Sequence, residues 1–387
     1  MTLVVILPLL VTAGLFQALA GLLLLRRFTR NTAYATPDRP AVTILKPLHG
    51  AEPWLEWALS SVAAQNYPEI QIICGVARED DSAISVVEAV RARYPNRRID
   101  LAVDARQYGV NAKVSNLINM LPFAQHDIIV ISDSDVHVAT DWLEQVVSAL
   151  ARPRVGLVTT VYSGLAVVPG IAARLGAMQI CHAFLPGAMM ARRLGRQDSL
   201  GATMALRRET LIAIGGFEGL ANELADDAVL GIKTRAQGLE VALASTIPAV
   251  GVPERRLEAL WQHELRWART VRSLAPWEHA TSVLQYPLVP AMALTIAAPF
   301  APWAWAVFVA AWLARAEIAR RADNVIKSLP GLATVQTPWL WPLRDLMSVA
   351  VIVASFCSRD VVWRGRALRA DPIVTDTLKS TRPRRAA

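Results

Sequence analysis

The chain has 387 residues, of which 53% are hydrophobic and 19% charged. That is too apolar for an ordinary soluble enzyme and too charged for a protein wholly inside a bilayer, so a water-facing domain joined to membrane segments is expected. The net charge of +8, with basic residues set beside apolar stretches, suits an anionic membrane surface or a phosphorylated substrate. No zinc-finger spacing, RNA-binding aromatic motif or Lys/Arg stripe points to nucleic acid. The three cysteines, Cys74, Cys181 and Cys357, are too scattered for a disulfide framework or a thiolate metal site.

Leu3 to Leu25 carries no charge and is long enough to cross a bilayer as a helix. Ala18-Leu19-Ala20 resembles a signal-peptide cleavage site, but no basic residue precedes the apolar run, and Arg26, Arg27 and Arg30 follow it. The positive-inside rule therefore reads residues 1–27 as a retained anchor whose carboxyl end faces the cytoplasm. Residues 28–40 read as a linker.

From residue 41 to about 280 short apolar runs alternate with helical stretches. Val42–Leu45, Ile70–Val76, Ile99–Val103 and Asp127–Ile131 read as strands; 54–64, 82–94 and 114–121 read as helices. Such alternation predicts βαβ units and a largely parallel, Rossmann-like sheet. Right-handed crossovers then bring the strand exits at His49, Asp80 and Asp133 to one edge.

Further on, residues 281–314 read as a membrane segment. Pro287, Pro290, Pro299 and Pro302 leave either one tilted helix or a hairpin bent at 299–302. Arg315, Arg320, Arg321 and Lys327 make residues 315–338 a basic cytoplasmic loop and favour the hairpin. Residues 339–362, with apolar Leu346–Cys357 between Arg344 and Arg359, read as spanning or interfacial. Residues 363–387 read as a basic tail.

Four clusters carry candidate chemistry. Asp133-Ser134-Asp135 leaves a buried strand, where two carboxylates suit a hard cation such as Mg²⁺ or Mn²⁺ and, through it, a diphosphate. Lys46 and His49 end the first strand, where either can meet phosphate or base. Arg78-Glu79-Asp80-Asp81 ends the second; an aspartate there can accept the uracil imide N–H or cap the next helix. After Leu200-Gly201-Ala202 and Gly215-Gly216-Phe217, which suggest a tight backbone wall beside a ligand, Asp226-Asp227 offers a candidate base or a capped helix start. Last, Trp261-Gln262-His263-Glu264-Leu265-Arg266-Trp267 falls on an amphipathic helix. Arg266 there can fork onto a pyrophosphate and Trp267 can wall an acceptor, or both can simply favour the headgroup region.

Taken in order, Lys46-Pro47-Leu48-His49-Gly50, Glu79-Asp80-Asp81-Ser82-Ala83-Ile84, Lys113-Val114-Ser115-Asn116-Leu117, Ser132-Asp133-Ser134-Asp135, Gly215-Gly216-Phe217, Ala225-Asp226-Asp227 and His263-Glu264-Leu265-Arg266-Trp267 resemble the ceramide glucosyltransferase family. Within it, the nearest likeness is to the bacterial hopanoid-biosynthesis branch, which transfers N-acetylglucosamine from UDP to bacteriohopanetetrol. The resemblance implies a GT-A domain, a divalent cation and a lipid acceptor, hopanoid or sphingolipid. It further implies a multi-pass protein of the bacterial inner membrane whose catalytic domain faces the cytoplasm. It assigns the metal to Asp135 with Asp133, and the nucleotide-sugar to Lys46, His49, Asp80, Asp81, Lys113, Asp133, Gly201 and Asp226. Asp227 would be the base of an inverting displacement, with Arg266 and Trp267 ending the family's (Q/R)xxRW signature. His263 departs from that signature, which opens on Gln or Arg. The rivals are glucosyl transfer to ceramide, a processive polysaccharide synthase that would need more spans, and a non-enzymatic sugar-nucleotide-binding protein.

Overall fold

The structure, a computed structural model, describes residues 2–30, 38–326, 337–363 and 366–369. The first apolar run forms helix α1 (Thr2–Arg30). Strands and helices then alternate: β1 (Val42–Pro47), α2 (Leu55–Ala63), β2 (Ile70–Val76), α3 (Ala83–Arg93), β3 (Arg98–Val103), α4 (Ala112–Met120), β4 (Ile128–Ser132), β5 (Val136–His137) and α5 (Trp142–Leu150). Next come β6 (Val155–Thr159), β7 (Ser163–Ala166), α6 (Ile171–Gln179), α7 (Leu185–Arg193), β8 (Thr203–Arg207), α8 (Arg208–Ala213), α9 (Asp226–Ala236), β9 (Glu240–Leu243) and β10 (Ala249–Val252). The remainder is α10 (Leu257–Leu274), α11 (Pro276–Thr281), α12 (Leu288–Ala297), α13 (Pro302–Val325) and α14 (Trp341–Ser355), then a pair of short antiparallel strands, β11 (Asp360–Trp363) and β12 (Arg366–Arg369).

The described residues fall into two compact units. A sheet unit lies within 31–162 and 195–251; a helical unit lies within 1–30, 163–194 and 252–372. In the sheet unit seven strands run in the order β3-β2-β1-β4-β8-β6-β9. Neighbours are parallel except β8, which runs antiparallel to both β4 and β6. Every residue of β1 and β2 is buried, which is why these strands read as mostly apolar runs, broken only by Thr43, Lys46 and Gln71, rather than as alternation. Helices α2, α3 and α5 cover one face around Trp142, Leu59 and Val87; α4, α8 and α9 cover the other around Phe217, Leu117 and Val229.

Register fixes the functional edge. Leu45 of β1 faces Ile131 of β4 and Pro47 faces Gly75 of β2, so the exits of all three strands lie together. Because β8 is reversed, its start lies at that same edge: Thr203 faces Ser132, and the Asp133 N–H donates to Ala202 O over 3.4 Å. The alternation of apolar runs does not foretell this reversal.

The helical unit has its own apolar core, in which Val11, Leu175 and Leu260 pack with Leu288, Ala291, Ala311 and Trp341. Residues 163–194 and α10, inside the span expected as one domain with the sheet, pack here because their apolar faces match those of α12 to α14. Among the described residues one helix, over Val4–Arg30, is long and apolar enough to cross a membrane. Two shorter helices, Pro276–Gln285 and Leu288–Ala297, meet that test only together and are bent by 64° at their junction. The break at 298–301 precedes α13, which is helical through Val325, so residues 315–325 are not loop. Arg315, read as a loop cation, is buried: it stacks over the Trp341 ring and faces Asp345 at 3.8 Å. Lys327 and most of the expected tail fall outside the described residues.

Candidate functional site

At the exit of β4 the loop Asp133-Ser134-Asp135 is propped from below. Lys46, fully buried on β1, donates from Nζ to the carbonyl oxygen of Asp133 and to Ser132 Oγ. Burial, only partly offset by Asp135 and Asp133, lowers its pKa to about 8. An ammonium spent on the loop's underside corrects the expectation that Lys46 reaches a phosphate. Ser134 Oγ donates to Glu52 Oε2 over 2.6 Å, which brings in a carboxylate that no sequence motif marks. Burial, with Asp133 and Glu52 as like charges, pushes Asp135 up to about 7.

Lys113, in the first turn of α4, ties this loop to the start of α9. Its Nζ lies 2.7 Å from Asp133 Oδ1 and 3.4 Å from Asp226 Oδ2. Asn111, which caps α4 by accepting from Val114 N–H, also donates from Nδ2 to Asp226 Oδ1 over 3.3 Å. Against the burial around it, Asp133, Asp226 and Asp227 hold the Lys113 ammonium well above its ordinary value.

Asp226 and Asp227 open α9, where the orphan N–H groups of a helix start favour negative charge. Asp227 Oδ1 accepts from Ala228 N–H over 2.8 Å. Burial, with Asp226 as like charge and against Lys113, pushes the Asp227 carboxyl up to about 7. Gly201 lies between the two acidic stretches: a Cβ there would sit 3.2 Å from Asp227 Oδ2 and 3.7 Å from Asp133 Oδ2. Tyr162 completes the group; burial and then Asp227, Asp133 and Asp135 raise its phenol.

At the β2 exit the two adjacent aspartates part. The Asp81 side chain is buried and its Oδ1 accepts from Gly50 N–H and Ala83 N–H, each over 2.9 Å, while His49 Nδ1 lies 3.9 Å from Oδ2. Asp80 points to solvent, gripped by the Arg78 fork at 2.7 and 2.5 Å. Arg78 serves both aspartates, its guanidinium holding the Asp80 carboxylate and its carbonyl oxygen accepting from Asp81 N–H over 3.3 Å, but the two carboxylates face different donors. Gly215 and Gly216 both have positive φ, 92° and 69°, and close the turn after α8 so that Phe217 can enter the core. That structural duty accounts for them without a ligand.

In the helical unit, α10 carries the remaining motif. The His263 ring packs edge-on to Trp267 at 4.5 Å and its Nδ1 bonds Glu254 Oε1. Glu264 is buried and accepts both forks of Arg344, each at 2.7 Å.

A family model, "Glycosyl transferase family 21", matches residues 6–373. The chain belongs to this family. Among curated relatives, "Ceramide glucosyltransferase" of Komagataella phaffii is 37% identical over 133 residues, 32% of this chain and 25% of that protein. "Ceramide glucosyltransferase 1" of Caenorhabditis elegans is 25% identical over 221 residues, 55% of this chain and 46% of the relative. The chain thus spans a quarter to just under half of these relatives' length. In fold, this family 21 chain resembles the mannosyltransferase PcManGT of Pyrobaculum calidifontis, solved with GDP-Man and Mn²⁺. The TM-score is 0.51 with 21% identity, over 92% of this chain and 99% of that one. A GT-A-like glycosyltransferase sheet flanked by helices is therefore the architecture, as the family resemblance implied, and the alternation of strands and helices foretold its largely parallel sheet.

Proposed function

We propose that this family 21 protein transfers a hexose, with inversion, from a UDP-sugar to a primary hydroxyl of a membrane lipid. The observation that carries the reading is the meeting of Asp133, Asp135, Lys113 and Asp227 around Gly201 at one sheet edge. Asp227, with its proton affinity raised to about 7, is matched to taking a proton from an alcohol near neutral pH. Asp81 meets the uridine from the exit of β2. Arg266 and Trp267 keep the roles that the resemblance gives them, on the leaving diphosphate and on the acceptor.

A divalent cation fits the residues present. Among the described residues no three His, Cys, Asp or Glu side chains form a cage for a metal. Mg²⁺ and Mn²⁺ instead keep waters and take one or two carboxylates together with substrate phosphates. Asp135, crowded by Asp133 and Glu52, is a carboxylate that a neighbouring cation would stabilise. Bound there with Asp133, the ion would neutralise charge on the departing diphosphate.

Both curated relatives carry the ceramide name, which supports glucose and a sphingoid alcohol as donor sugar and acceptor. N-acetylglucosaminyl transfer to bacteriohopanetetrol is the competing acceptor reading, supported by the motif likeness and implying a bacterial inner-membrane location. Helix α1 supports membrane attachment, and Arg26, Arg27 and Arg30 at its end support a cytoplasmic sheet unit. The test incubates membranes holding the protein with labelled UDP-glucose and UDP-N-acetylglucosamine, each against ceramide and bacteriohopanetetrol. Glucosylceramide is the expected product. Glycosylated bacteriohopanetetrol alone would move the acceptor to the hopanoid, and no transfer to either lipid would overturn the reading.

A further inference from the structure

Glu264 stands within the His263–Trp267 motif yet faces the core of the helical unit. Arg344, 80 residues later, spends its guanidinium on it with both nitrogens at 2.7 Å. Two further donors are held as well: Nε gives to Ser348 Oγ over 3.1 Å and Nη1 to Leu175 O over 3.2 Å. Ser348 in turn donates to Gln179 Oε1 over 2.9 Å, and Gln179 Nε2 donates to the Tyr286 hydroxyl over 3.1 Å. Arg344 is 1% exposed and Glu264 8%. One guanidinium therefore references α10 against α6 and α14 at once.

We infer that Glu264 and Arg344 are positioning residues that set the rotation of α10 and so the bearing of Arg266 and Trp267; the inference rests on the glycosyltransfer reading. At about 100° per residue, Arg266 lies about 200° around the helix from Glu264 and Trp267 about 60° on its other side. Side-chain tips lie about 5–6 Å from a helix axis, so a turn of about 10° moves them by about 1 Å. A displacement of that size can cost a reaction on the order of 100-fold. Leu260, Leu265 and Ala268 share the buried face but are apolar contacts, which tolerate small rotations. A bidentate fork does not, since both bonds must stay in plane. An ordinary apolar pair at 264 and 344 would keep the helix buried without fixing its angle.

The test compares Glu264→Gln, Arg344→Lys and the double variant Glu264→Gln/Arg344→Lys in the full chain, counting only molecules that stay folded and monodisperse. Each single variant is expected to lose at least about tenfold in kcat with donor KM moving less than kcat, because Arg266 meets charge that grows on the diphosphate as UDP departs. The double variant is expected to be no worse than the poorer single one, the mark of coupled residues. Unchanged kcat per folded molecule, whatever the yield, would overturn the proposal. If the single variants do not fold, Ser348→Ala removes one bond of the fork's support and is expected to lower kcat at least about threefold; no change would overturn it equally. Should the wild-type protein transfer no sugar to any lipid, the glycosyltransfer reading fails. The clamp is then read from hydrogen exchange of the 262–268 amides, which must quicken at least about tenfold in Arg344→Lys, and unchanged exchange would reject it.

Discussion

The two units handle buried charge in opposite ways. At the sheet edge five carboxylates, those of Glu52, Asp133, Asp135, Asp226 and Asp227, share only two ammonium groups, Lys46 and Lys113. Among the described residues of the helical unit buried charge is paired: Glu264 with Arg344 and Asp345 with Arg315, while Asp323 faces the His182 ring at 3.1 Å. A surplus of one sign keeps proton affinities displaced and leaves room for a positive ligand. A matched set leaves nothing to bind and instead fixes geometry. The contrast separates chemistry from scaffold by charge balance, before any ligand is considered.

The contrast can be broken most directly at Asp227. Asp227→Asn is expected to lower turnover by about 100- to 10,000-fold, while UDP binding and melting temperature stay at or above the wild-type values because one of two adjacent like charges is gone. Parallel turnover and calorimetric titration with UDP would show it; a joint loss of binding and fold would make Asp227 structural. Next in size, Asp345→Ala strands the buried Arg315 and is expected to destabilise by about 3–5 kcal/mol. Turnover per folded molecule should hold, since this pair lies off the motif helix. Thermal unfolding in detergent measures the first quantity and single-turnover transfer the second.

The smallest effect is the pH dependence of the metal-free protein. Folded Asp135 and Asp227 take up protons near pH 7 where the unfolded chain takes them up near pH 4, so between those values the native state holds more protons. Stability with a chelator present should therefore fall as pH rises from 4 to 7, by about 1–2 kcal/mol per group after allowing for partial exposure. Asp135→Asn should flatten the slope, and added Mn²⁺ should raise the melting temperature more at pH 8 than at pH 5. A slope of the opposite sign would show that the surplus charge is neutralised in some other way.

Much of the sheet edge could be read from sequence because its logic is local. β1, β2 and β4 are apolar runs, and the residues just after such a run lie at the edge. Asp81, Asp133 and Asp135 stand out for that reason, whereas Asp227 stands out only as one of two adjacent carboxylates at a helix start. Glu52 does not, since nothing in a one-dimensional pattern places it opposite Ser134, 82 residues away. Nor did sequence reveal that Lys46 faces inward, that Asp80 turns outward to Arg78, or that β8 runs backwards. Arg315 and Arg344 were the plainest misses. Both read as charges flanking apolar stretches, yet each is buried by a partner on another helix. Periodicity reports which face is apolar, not which distant acid will neutralise a buried base.

Gly201 leaves clearance for little more than a hydrogen atom. Its backbone lies outside the left-handed region, so an alanine would meet crowding alone and no torsional strain. One added methyl would nudge the Asp227 carboxylate by a few tenths of an ångström, leaving its charge, its neighbours and the sheet untouched. That single position is a built-in ruler: it lets the tolerance of proton transfer to distance be gauged without removing any charge from the site.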